Sequence, residues 1–153
     1  MKLPRFVLIL PDIRSCHNVG AMFRTADACG VEKIWLCGYT PVPPRPQIDK
    51  VALGAETWVP WEQANDVVVV VQKLKLAGYM IVALEKNADS VAVGDLELQT
   101  PVALIVGNEV TGVGVELLAL ADVVAHIPMY GRKESLNVSV AAGIGMYVVG
   151  QKL

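Results

Sequence analysis

"PVALIVGNEVTGVGVELLALADVVAHIPM", residues 101 to 129, decides the fold class. "PVALIVG" is a short apolar run closed by glycine, the pattern of a strand buried on both faces. "GVGVELLALA" reads as a short helix, and "DVVAHIPM" as another strand. Strand, helix, strand in that order is the unit from which parallel sheets are built. The polar loop "GNEVTGVG" falls where the first of these strands ends.

The same alternation extends outward in both directions. "FVLILPDI" is a buried strand stopped by Pro11 and Asp12. In "NVGAMFRTADACG" Val19, Met22, Phe23 and Ala26 recur at helical spacing, with Asn18 as the expected N-cap and Gly30 as the stop. "KIWLCG" is the next strand. "YTPVPPRPQ" has too much proline for a regular element and reads as an extended, mobile loop. "KVALGAETWVPW" reads as an irregular piece. "EQANDVVVVVQKLKLAG" reads as a helix on the stripe Val67, Val70, Val71, Leu74 and Ala77. "YMIVAL" is a strand, and "EKNADSVAVGDLELQT" a loop with a short helix.

On the C-terminal side, "GRKESLN" leads into a last helix from about 137 to 151, with Ser135 and Asn137 as expected caps. No charge follows until Lys152. A helix apolar on nearly every side is expected to be buried on nearly every side. Ser139, Ala142, Gly143 and Gly145 are expected to admit a second subunit's backbone. The whole reading is an α/β fold, a mostly parallel sheet sandwiched by helices, in a single domain over residues 1–153.

Composition narrows the function classes. Hydrophobic residues make up 54% and charged residues 18%, which excludes a disordered chain. Formal net charge is −2, so any nucleic-acid contact must come from a local patch. Arg14, Arg24, Arg45, Lys50, Arg132 and Lys133 are its candidates. The apolar stretch from Val138 to Gly150 is too short for a membrane span, and no export signal is evident. Cys16, Cys29 and Cys37 lack metal-ligand spacing, so reduced thiols in the cytoplasm are expected. Cys16 and His17 are adjacent, and adjacent side chains rarely form a nucleophile–base pair.

Familiar motifs fail. Val113 stands where a phosphate-binding loop needs lysine, and "GVGVEL" lacks the third glycine of a dinucleotide fingerprint. With no H-E-x-x-H and no paired CxxC, no metal is expected. What remains is a set of polar strand-end loops: "PDIRSCHN", "GNEVTGVG" and "PMYGRKESLN". Their glycines allow close backbone approach. Ile127, Met129 and Leu136 add apolar surface. Such a site suits a flat apolar ring held by backbone groups.

"NVGAMFRTADACGV", "LIVGNEVTGV" and "HIPMYGRKESLNVSVAAGIGMY" resemble, in order and spacing, the motifs of the SpoU family of RNA 2′-O-ribose methyltransferases, within the SPOUT superfamily. The resemblance spans nearly the whole chain. It implies a C-terminal deep trefoil knot, S-adenosylmethionine as methyl donor with S-adenosylhomocysteine as product, and a homodimer through the C-terminal helix region. It implies RNA as substrate, tRNA ahead of rRNA. Arg24, Asn18, Glu109, Ser135 and Asn137 are then the catalytic set. Leu84, Gly107, Asn108, Gly112, Ile127, Met129, Ser135 and Leu136 line the cofactor pocket, with Pro128 in the third motif. A bare catalytic domain is expected, without the RNA-binding domain that many relatives add, and Val113 replaces a larger aliphatic residue.

Within that resemblance Arg24 stabilises an alkoxide and clamps phosphate, because a guanidinium is hard to deprotonate. Its plain alternative is a surface pair with Asp27. Glu109 is expected to orient Arg24 or Asn137. Trp58 and Trp61 are assigned to core or interface packing ahead of base stacking. The rival functions are a catalytically idle SpoU-like binding protein and a generic α/β small-ligand module.

Overall fold

The computed structural model describes residues 3–153. The strands are β1 (Phe6–Pro11), β2 (Lys33–Cys37), β3 (Trp61–Ala64), β4 (Met80–Leu84), β5 (Val91–Ala92), β6 (Val102–Ile105) and β7 (Val123–His126). The helices are α1 (Cys16–Cys29), α2 (Pro46–Ala52), α3 (Ala55–Trp58), α4 (Val67–Leu76), α5 (Val115–Leu120) and α6 (Val138–Gln151). The seven strands form one sheet in the order β3-β2-β1-β6-β4-β7-β5, and every pairing is parallel. β1 sits between β2 and β6, where the strand order reverses.

Alternation along the central strands divides the core in two. Phe6, Leu8 and Leu10 face one layer, together with Met22, Phe23, Ala142 and Met146 from α1 and α6. Val7 and Ile9 face the other, with Val70, Val71 and Leu117 from α4 and α5. Both faces of β1 are therefore buried, which explains its unbroken apolar sequence.

Several expectations are corrected. Ser15, not Asn18, caps α1: its side chain accepts the Asn18 backbone N–H, and Asn18 lies inside the first turn. Gly30 does end the helix in the left-handed conformation, at φ 78°. The proline-rich loop is pinned by Thr40, whose hydroxyl donates to the Leu10 carbonyl and accepts the Ile13 N–H. Pro46 then opens α2, since a proline at the first helical positions costs no hydrogen bond. The stretch read as irregular holds the end of α2, all of α3 and the start of β3, elements too short to carry a periodic signal. Val91–Ala92 adds a short edge strand inside the stretch read as a loop.

The last helix needs the largest correction. Asn137 caps it, while Ser135 lies outside it in an exposed loop. Val138, Ala142, Gly145, Met146 and Val149 are buried by this chain alone. Val140, Ile144 and Tyr147 form an exposed row on the other side. Its small residues serve internal packing. A Cβ on Gly145 would meet the Leu84 Cδ2 methyl at 3.1 Å, and one on Gly150 the Cys29 carbonyl oxygen at 2.7 Å.

Candidate active site

Because the sheet is parallel, the loops after β1, β4, β6 and β7 open at its carboxyl edge. Ligands on such sheets bind at that edge, where the strand order reverses. A cleft of about 490 Å³ opens at that edge beside β1, lined by the loops after β4, β6 and β7 and by the start of α6. Leu84, Gly107, Asn108, Gly112, Ile127, Met129, Ser135 and Leu136 all line it, as do Glu109 and Asn137.

The floor depends on glycine. A Cβ on Gly107 would lie 2.7 Å from the Gly112 Cα, so only hydrogen fits where the loop folds back. Asn108 and Gly112 exchange backbone hydrogen bonds across that turn, at 3.1 and 3.0 Å. The Asn108 side chain is spent on the loop itself. Its Oδ1 accepts the Val110 and Thr111 N–H groups, and its Nδ2 donates to the Asp12 carbonyl and Tyr39 hydroxyl. It therefore shapes the cleft, and its amide is not free for a ligand. Gly107, Ile127 and Leu136 differ: among the described residues, no hydrogen bond occupies their backbone N–H and C=O groups.

Beside the cleft a chain of polar contacts ties the strand-end loops together. Glu109 accepts the backbone N–H of Arg14 (2.8 Å), that of Ser15 (2.9 Å) and the Asn18 side-chain Nδ2 (3.0 Å). An ionised carboxylate only accepts, so the Asn18 amide nitrogen must face it. Asn18 Oδ1 then receives Asn137 Nδ2 at 3.4 Å. Asn137 Oδ1 in turn caps α6 through the Ser139 N–H at 2.9 Å. Burial pushes the Glu109 pKa up, but hydrogen bonds from Arg14, Asn18, its own N–H and Ser15 outweigh it, so the carboxyl lies below its ordinary value. Glu109 thus holds Asn18 and reaches Asn137 only through it; among the described residues it does not touch Arg24.

Arg24 is exposed in the middle of α1 and is not part of the cleft lining. It makes no ion pair among the described residues. Asp27, its presumed surface partner, instead accepts the Trp58 Nε1–H at 2.8 Å. Trp58 is 58% exposed, which removes it from the core, whereas Trp61 packs against the core. Arg14, Arg45, Lys50, Arg132 and Lys133 are also exposed.

Sequence reasoning missed Glu85, Lys86, His126 and Glu134, which also line the cleft. Glu85 follows β4 directly, and its Oε2 accepts the Val113 N–H at 3.0 Å. It crowds Gly112, whose φ of 68° already favours glycine. A carboxylate directly after a buried strand at this edge was the available signal. His126 Nδ1 lies 2.8 Å from the Ser90 hydroxyl. The Cys37 thiol is held protonated: burial, then Asp12 and Asp66, push it up to about 12. Among the described residues no metal-ligating cluster occurs, and no helix is long and apolar enough to cross a membrane.

Residues 5–147 match the SpoU rRNA Methylase family. The chain belongs to that family. It is 35% identical over 142 residues to a tRNA (guanosine(18)-2′-O)-methyltransferase of Aquifex aeolicus, covering 92% of this chain and 66% of that protein. It is 33% identical to a 23S rRNA (guanosine-2′-O-)-methyltransferase of Coxiella burnetii, over 95% of this chain and 58% of that one. An AdoMet-bound rRNA methyltransferase from Sinorhizobium meliloti superposes with a TM-score of 0.90 at 33% identity, covering 97% of this chain and 57% of that one. The SpoU chain thus spans 66% or less of the length of these relatives.

Proposed function

We propose that this chain transfers a methyl group from S-adenosylmethionine to a ribose 2′-hydroxyl of RNA, transfer RNA first and ribosomal RNA second. The observation that carries this reading is the Glu109–Asn18–Asn137 chain beside a cleft whose Gly107, Ile127 and Leu136 backbone groups carry no hydrogen bond among the described residues. Relatives named for 2′-O-methylation of both RNA classes support it. So does the AdoMet-bound structure of similar shape.

The cleft suits a nucleoside-sized group. Leu84, Ile127, Met129 and Leu136 give apolar walls to an adenine-like ring, and the free backbone groups read its edge. Asn108 and Gly112 shape the loop that bounds it, and Ser135 stands at the rim. The donor supplies a methyl on a sulfonium, which is already electrophilic, and the product is S-adenosylhomocysteine. The protein's task is to align the hydroxyl and stabilise the alkoxide that forms. Asn18 is a buried, oriented amide that positions substrate. Arg24, exposed and without an ion pair among the described residues, clamps phosphate and the developing alkoxide, while the proton passes to another acceptor. Asn137 couples the α6 cap to Asn18.

The same reading holds that the segment after β7 threads a deep trefoil knot. It holds that a second copy covers Val140, Ile144 and Tyr147, and that the protein works in the cytoplasm. Incubation with labelled donor and either bulk tRNA or rRNA tests the activity, with label expected in tRNA. No label in either RNA contradicts it. A monodisperse monomer at micromolar concentration in light scattering contradicts the homodimer.

A further inference from the structure

We infer that Trp58 is a stacking platform for a nucleobase of the RNA, adjacent to the nucleotide held at Arg24. This rests on the proposed RNA-methylating activity and adds a recognition residue to it.

Trp58 is the last residue of α3, and its ring is fixed from two directions. Its Nε1–H donates to Asp27 Oδ1 at 2.8 Å. Its six-membered ring rests against Gly54, where a Cβ would lie 3.0 Å from Cζ3 and 3.2 Å from Cη2. Gly54 has a φ of 95°, so the backbone conformation and the ring both require glycine there. An indole placed for core packing is ordinarily covered. This one is 58% exposed, with Leu53 beside it 60% exposed. Its only polar atom is already satisfied, so what it offers to solvent is a rigid π-surface. Every base presents a complementary face, and losing such a stack is costly in single-stranded recognition.

Location selects the occupant. Asp27 follows Arg24 by less than one turn of α1, a rise of about 4.5 Å. That is comparable to the step between neighbouring nucleotides, so a strand that brings its ribose to Arg24 carries its next base past Trp58. The nearby carboxylates are each partly engaged. Asp27 is bonded to the indole, and Asp49 and Glu56 each bury a carboxylate oxygen. Arg24 on α1, Arg45 at the cap of α2 and Lys50 on α2 are all exposed, which suits a phosphate backbone. A second copy is the poorer fit. α6 packs on the flank of α1 that carries Thr25 and Cys29, and residues 25 and 27 point to opposite flanks at 3.6 residues per turn. The exposed row of α6 therefore lies away from Trp58.

The test compares the full-length wild type with W58F, which keeps a π-face, and W58L, which keeps apolar bulk without one. Affinity for labelled bulk tRNA is read by fluorescence anisotropy, donor affinity by calorimetry and mass by light scattering. W58L is expected to weaken tRNA binding about 5- to 150-fold, the range for losing one base–aromatic stack. W58F is expected to stay within about 5-fold of wild type, a loss below that range. Donor affinity and mass are expected to be unchanged in both. W58L binding tRNA as wild type does, W58F falling as far as W58L, or a change in mass would each overturn the inference. Wild type that neither binds nor methylates RNA removes the underlying reading as well. Wild type that does both, beside an indifferent W58L, removes Trp58 alone.

Discussion

α1 and α6 are helices of equal length, 14 residues each, and they are packed together with their N-termini at the same sheet edge. Each is capped by a polar side chain just before it, Ser15 for α1 and Asn137 for α6. Their outer surfaces differ. α1 has one flank covered by α2, where a Cβ on Gly20 would lie 2.5 Å from the Ile48 carbonyl oxygen, and its solvent face carries His17 and Arg24. α6 receives no such cover, and its solvent face carries Val140, Ile144 and Tyr147. On the proposed function, the polar outer face belongs to the helix that would meet substrate, and the apolar one to the helix that would be covered by a second copy. The Asn18–Asn137 contact is where the two roles meet.

The largest expected effect is on α1. Arg24→Ala is expected to lower the methyl-transfer rate about 10²- to 10³-fold, the usual loss for one charge-stabilising donor, with donor affinity in calorimetry nearly unchanged. Lost donor affinity would move Arg24 into the cofactor site and erase the contrast between the helices. Next comes the contact between them. Gly150→Ala pushes a methyl toward the Cys29 carbonyl oxygen and is expected to destabilise the fold by about 1–3 kcal/mol in denaturant melts. An unchanged midpoint would mean that the two C-termini are free to part.

Caps give a smaller, matched pair. Ser15→Ala and Asn137→Ala are each expected to cost about 1 kcal/mol. Asn137→Ala alone should also lower methyl transfer, because of the two caps only Asn137 bonds the Asn18 side chain, whereas Ser15 accepts its backbone N–H. Equal effects on activity would sink that distinction. The smallest effect is that of Glu109. Its folded-state pKa lies below the ordinary value. It therefore stabilises the fold above the unfolded pKa, and that contribution is lost as pH falls through the folded value. Glu109→Gln should lower Tm near neutrality and show a flatter Tm profile below the ordinary carboxylate range. A parallel profile would deny the carboxylate its role at the α1 entrance.

The sequence made the central strands and the long helices legible, because buried parallel strands and 3.6-residue stripes leave strong periodic signals. It misjudged pieces whose structure is set from elsewhere. α2 and α3 are too short for periodicity, and the loop before them is fixed by Thr40, a residue with no local pattern. Asn18 looked like a cap because caps and buried amides use the same residue type, and only the fold tells them apart. The cleft residues were legible through their resemblance to a family, not through spacing. Glu85 escaped because it belongs to no quoted motif, and His126 because it reads as the end of a strand although it opens the third motif. The sequence anticipates a partner against Ser139, Ala142, Gly143 and Gly145, but Ala142 and Gly145 are buried by the chain itself, and the row left exposed is Val140, Ile144 and Tyr147.

The central claim is that this chain methylates ribose 2′-hydroxyls in RNA through Arg24. It is tested most directly by mapping 2′-O-methyl positions in total RNA from a strain lacking the gene. The same strain carrying the wild-type chain, or the Arg24→Ala chain, completes the comparison. The account predicts the loss of a ribose methylation in the deletion strain, in tRNA, restored by the wild-type chain and not by Arg24→Ala. No lost position, or full restoration by Arg24→Ala, would contradict it.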